Sequence, residues 1–125
     1  MAYAVKKKID DVPWEGHFMN EDSRIKWLYT REKDGTPLTA MLIELKKGIS
    51  LPEHRHLDQP DLIYPIKGKA TMYIEGEGEF PLEPGMVVIV PPNTTHTIRN
   101  IEETLLLYNV FAPAIPYKEG IKKLS

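Results

Sequence analysis

The chain has 125 residues, enough for one domain with a real core and too few for two. Its net charge of -2 gives no electrostatic case for nucleic acid or an anionic membrane, and no segment approaches the roughly 20 apolar residues of a spanning helix. With no cysteine, disulfides and thiolate ligands are excluded, so any metal must sit on nitrogen and oxygen donors.

Residues 1–22 mix charge and aromatics, and are expected to supply one edge strand around Ala4 to Ile9, open to exchange with a second subunit, followed by a loop. The lysines near the start precede no apolar run or small-residue cleavage site, so a cytoplasmic location is expected. Strand-like runs then recur at short intervals over about residues 23–112. Arg24 to Thr30 leads to the turn Lys33-Asp34-Gly35-Thr36, and Leu38 to Leu45 is closed by Lys47-Gly48. Leu62 to Lys67 and Ala70 to Ile74 flank Gly68, with a turn at Glu75-Gly76-Glu77-Gly78. Met86 to Val90 is a continuous apolar run, as in a buried strand. Thr95 to Ile101 and Thr104 to Phe111 follow, separated by Glu102-Glu103. Eleven prolines and eight glycines punctuate these runs, and no 3.6-residue periodicity intervenes, so the fold is read as an all-β sandwich or barrel. The tail, 113–125, carries Pro113 and Pro116 and cannot continue a strand interior. It is expected either to pack on a neighbouring subunit or to end loosely.

Two of the four histidines, His54 and His56, stand one residue apart. In an extended strand both imidazoles point to one face, because side chains alternate with a period of two. With a carboxylate a few residues on, such as Asp61, and His96 from another strand, three nitrogens and an oxygen can converge on one transition metal.

The spacing around these residues resembles the cupin family. The first cupin motif, G-x5-H-x-H-x(3,4)-E-x6-G, is matched by Gly48, His54, His56, Asp61 and Gly68, with Asp in place of Glu. The second, G-x5-P-x-G-x2-H-x3-N, is matched by Gly85, Pro91, Asn93, His96 and Asn100, with Asn in place of Gly. Asn93 is a mild change, because Asn tolerates the left-handed backbone that a turn there needs. Asp61 is shorter than Glu by one methylene, about 1.5 Å of reach. It either ligates directly or orients a histidine, with Gln59 or Asp58 as substitutes. Pro65 removes a ladder donor, so an edge or bulge is expected at that point.

The resemblance implies a jelly-roll barrel, the double-stranded β-helix of a single-domain cupin. It implies one divalent ion (Fe, Mn, Ni, Co, Cu or Zn) on His54, His56, Asp61 and His96, with about two positions open. Asn100 and Gln59 are expected nearby as hydrogen-bonding partners, and Tyr64 and Tyr73 as candidates for general acid or base. Tyr29, Tyr108, Trp27 and Met72 are expected to line or cover the barrel. Arg55 and Arg99 should point away from the metal, and His17 has no partner at ligand spacing. Three functions fit. The first is a dioxygenase acting on a small keto, enol or phenolic compound. The second is a redox-neutral isomerase, lyase or cyclase, and the third a non-catalytic ligand-binding module. A small-molecule substrate and a homodimer are expected, with no nucleic-acid or membrane partner.

Overall fold

A computed structural model describes residues 3–17, 19–117 and 122–123. The strands are β1 (Glu15–His17), β2 (Asn20–Tyr29), β3 (Thr39–Leu45), β4 (His54–Arg55), β5 (Asp61–Ile74), β6 (Gly78–Leu82), β7 (Val88–Val90), β8 (His96–Phe111) and β9 (Lys122–Lys123). One short helix, α1 (Arg31–Asp34), follows β2; Thr30 caps it by accepting from the Lys33 amide, and Gly35 ends it at φ 77°. All pairings among the described strands are antiparallel, as expected of an all-β jelly roll. Among the described residues no helix is long and apolar enough to cross a membrane.

The backbone of the barrel is the ladder between β5 and β8. Asp61 stands opposite Phe111 at one end, and Ile74 opposite His96 at the other. The register slips between Pro65 and Lys67, Lys67 and Lys69, and Lys69 and Thr71, and the ladder bends there. The irregularity at Pro65 is the one its missing amide proton led us to expect. Gly68 makes the bend possible: its φ is 97°, and a Cβ there would stand 2.3 Å from the carbonyl oxygen of Thr104. Neither strand breaks where the sequence suggested. β5 runs through Gly68, and β8 through Glu102-Glu103, whose side chains lie on the exposed face.

Alternation sorts the side chains. Ile63, Met72, Leu105, Leu107 and Phe111 turn inward to meet Ile25, Met41 and Leu45 in the main core. A smaller cluster, Leu28, Ala40 and Leu42, lies outside β2 and β3 and is covered by Val12 and Trp14. The segment providing that cover is not the edge strand expected at Ala4 to Ile9. It is irregular, with a single 3-10 turn at Ile9–Asp11, and is tied to β2 and its flank by side chains rather than a ladder. Tyr29 Oη donates to the Ala4 carbonyl, Lys26 Nζ to the Ile9 carbonyl, and Lys7 pairs with Asp34 at 2.7 Å. The strand at this end is instead β1. The tail is packed on its own barrel through Tyr117: Ile115 is fully buried, its amide donates to Thr39 Oγ1, and Tyr117 meets the Trp27 ring edge-on at 4.9 Å.

Candidate metal centre

His54 is positioned by β4, which pairs directly with the start of β8 so that His54 faces His96. The loop before β4 is pinned to β8 by the Leu51 amide donating to the Ile98 carbonyl and Thr97 Oγ1 donating to the Leu51 carbonyl. His56 follows β4 and is held by the Asn93 amide, which donates to the His56 carbonyl at 2.6 Å. Asn93 has φ 54°, the left-handed turn expected from its replacement of glycine. Thus the two histidine-bearing segments are stitched together by backbone hydrogen bonds.

The three imidazoles lie together and buried. Their ligand nitrogens are all within 4.8 Å of one another, a spacing able to hold a metal ion. His54 Nδ1 donates to the Pro52 carbonyl and His96 Nδ1 to the Thr94 carbonyl, both at 2.9 Å. Because a carbonyl can only accept, these bonds put the ring proton on Nδ1 and leave Nε2 as the donor for a metal. His96 Nε2 is buried and has no hydrogen bond. Asp61, at the start of β5, places Oδ2 3.8 Å from His56 Nε2 and 3.9 Å from His96 Nε2. Its other oxygen accepts from Asn109 Nδ2 at 3.0 Å. The donor set and its orphaned buried nitrogen therefore fit a divalent ion.

Burial dominates the electrostatics. It pushes His54 down to about 3, with the neighbouring His96 adding to the effect, and it also lowers His96. The Asp61 carboxyl is pushed up to about 7 by burial, against the opposing pull of the Asn109 hydrogen bond. Neutral imidazoles at neutral pH are the form that ligates.

The cluster opens into a cavity of about 30 Å³, lined mainly by hydrocarbon and sulfur, including Met19, Met41, Leu45, Leu51 and Phe111. Its polar lining consists of the three imidazoles, Asp61, Asn109 and His17. His17 corrects the expectation that it stands apart. A register shift in β1 between Gly16 and His17 accompanies its entry into the cavity wall, where it is buried and its Nδ1 accepts from the Met19 amide at 3.0 Å. Asn109 carried no motif signal; only its inward parity on β8 marked it.

Four other expectations are corrected by position. Tyr64 is 51% exposed on the outer face of β5, and Tyr73 lies outward with Arg99 over its ring, so neither lines the cavity. Asn100 is exposed at φ 52°, a backbone role, while Gln59 Nε2 donates to the Ala114 carbonyl in the tail. Arg55 stays out of the cavity, and Arg99 pairs at the surface with Glu79 at 2.9 Å.

Comparison with known proteins agrees with this architecture. A segment 37% identical over 65 residues occurs in the glucose-6-phosphate isomerase of Thermococcus gammatolerans; it spans 49% of this chain and 34% of the isomerase. Ectoine synthase from P. lautus superposes with a TM-score of 0.78 at 18% identity, covering 98% of this chain and 91% of that one. KdgF from Halomonas sp. superposes at 0.70 with 24% identity, covering 83% and 90%. The cupin domain family model matches residues 41–111, more than half of the sequence and the segment holding every residue of the histidine cluster. The chain belongs to the cupin domain family.

Proposed function

We propose that the chain is a metal-dependent enzyme that holds one divalent transition metal on His54, His56, His96 and Asp61 and catalyses a redox-neutral isomerisation, elimination or cyclisation of a small hydroxy-carbonyl compound. Such an ion supplies Lewis acidity, polarising a carbonyl oxygen. The chain's own residues do the rest. The hydrocarbon wall excludes water, and Asp61 is steadied by Asn109. His17 accepts at Nδ1, so its neutral ring carries a proton at Nε2 on the wall of the same cavity. The position of His17, a buried imidazole on the wall of the cavity that holds the cluster, is the observation favouring proton-transfer chemistry.

The hydrocarbon character of the wall favours a second reading, a dioxygenase acting on a keto, enol or phenolic compound, since dioxygen and an apolar substrate both suit it. A panel of small hydroxy-ketones, diketones and catechols, run with protein loaded with Fe(II), Mn(II) or Zn(II), separates them. Turnover that persists without oxygen and is lost in His96→Ala supports the first reading; stoichiometric oxygen uptake replaces it with the second. Tight binding without turnover on either arm makes the chain a ligand-binding module. The active form is read as a homodimer, joined by a different surface from the N-terminal strand first expected. Leu62, Tyr64, Ile66, Val87 and Ile89 are exposed apolar residues on or beside β5 and β7, where Leu62 stands opposite Ile89.

A further inference from the structure

Asn109 lies near the C-terminal end of β8, between Met41 of β3 and Ile63 of β5, and is 4% exposed. The positions around it are apolar, and a leucine or methionine there would continue the wall. Its amide nitrogen is committed to Asp61 Oδ1 at 3.0 Å. Its amide oxygen is buried and has no hydrogen bond. With Asp61 ionised, as a metal-ligating carboxylate is, the orientation is fixed, since turning the amide over would set two oxygens against each other. A buried acceptor without a donor is destabilising, and native proteins rarely retain one without a reason. Asn109 lines the cavity that holds the histidine cluster.

The geometry points to Asn109 Oδ1 as the atom that selects the substrate: the cavity takes a small molecule whose hydroxyl or N–H, adjacent to its chelating oxygen, donates to Asn109. This assignment rests on the metal-site reading given above. The cavity volume of about 30 Å³ keeps the ligand to a few heavy atoms near the cluster. A wall that offers this unpaired acceptor prefers a hydroxy-ketone or hydroxy-amide to a dicarboxylate, which brings acceptors only. A site built to hydrogen-bond a substrate O–H or N–H rejects analogues lacking it, because its own polar atom would stay unpaired.

Acetohydroxamic acid and acetate are suitable probes. The first keeps an N–H next to its chelating oxygens; the ionised second has no donor. Zn(II) affinity is measured first for the wild type, Asn109→Leu and Asn109→Ala, and each is then titrated at saturating Zn(II) by calorimetry. The expected result is a loss of about tenfold or more for acetohydroxamic acid in both variants. Acetate affinity should change less than about twofold, since no donor of acetate meets Asn109. Equal losses for the two probes would overturn the assignment, because Asn109 would then act only through Asp61 or the fold. Unchanged acetohydroxamate affinity in either variant would overturn it as well. A wild type that binds no Zn(II) would overturn the metal reading and this assignment together, an outcome visible before any probe is added.

Discussion

Asp61 and His96 begin the two strands of a single antiparallel ladder, at its opposite ends, yet Asp61 Oδ2 stands 3.9 Å from His96 Nε2. Laid flat, a ladder of that length would separate them by roughly 40 Å. The three register slips between Pro65 and Thr71 fold it back on itself, and Gly68 allows the close approach to Thr104. The candidate centre is therefore made by bending one ladder, not by a local loop.

Gly68→Ala should accordingly damage fold and site together. A Cβ would meet the Thr104 carbonyl at 2.3 Å on a backbone with positive φ. The expected loss is more than about 2 kcal/mol, read from denaturant unfolding, with weaker metal binding in the same variant. Gly76→Ala, whose Cβ meets nothing within 4 Å, is the control. It shares the positive φ, so the difference between the two measures the clash.

The acid limb of stability offers a second check. Burial holds His54 neutral in the folded state, so the unfolded chain binds more protons below the ordinary imidazole value of 6.5 and stability falls as pH falls. Asp61 works the other way. Its folded value of about 7 exceeds the ordinary 3.8, so the folded state holds the extra proton and stability falls as pH rises between those values. In metal-free protein the two oppose each other between about pH 4 and 6.5. Asp61→Asn removes one of them, and its stability should decline more steeply with acid, by about 1.4 kcal/mol per pH unit. Parallel slopes for wild type and variant would contradict this account of Asp61.

Asp61 also grades the metal set. Asn109→Leu, which removes the hydrogen bond to Asp61, should weaken divalent-metal affinity by roughly 10–100-fold, and Asp61→Asn, which removes a ligand, by more. Competition with a chromophoric chelator measures both. Proton release on metal binding should approach one per chain from Asp61 near pH 6 and fade above pH 8, since its carboxyl titrates at about 7.

The outer face of β5 and β7 is expected to carry the homodimer. Tyr64→Lys with Ile89→Lys places two charges on residues 51% and 60% exposed, so the monomer fold should survive. Light scattering coupled to size exclusion should move from dimer to monomer. A mass unchanged at twice the chain would place the interface elsewhere.

Much of this centre was legible because it depends on local spacing. His54, His56, Asp61 and His96 fall at motif intervals, and the structure gathers them in one buried place. Alternation from inward Asp61 also sends Tyr64 outward, a parity that would have removed it as an acid–base candidate. What the sequence concealed was long-range. Asn109 lies 48 residues from the carboxylate it serves, and no periodicity links them. His17 enters the cavity where the β1 register shifts, and a three-residue strand carries too little alternation to reveal that. The missed strand β6 is five residues long, mostly half-buried or exposed, and contains Pro81, which weakens any strand pattern there.

The most direct measurement is the metal content of protein loaded with a divalent transition metal and then dialysed, compared between wild type and His96→Ala. About one ion per chain in the wild type, falling to background in the variant while the circular dichroism spectrum stays all-β, is the expected result. A folded wild type that retains no metal, or a variant that retains as much as the wild type, would contradict it.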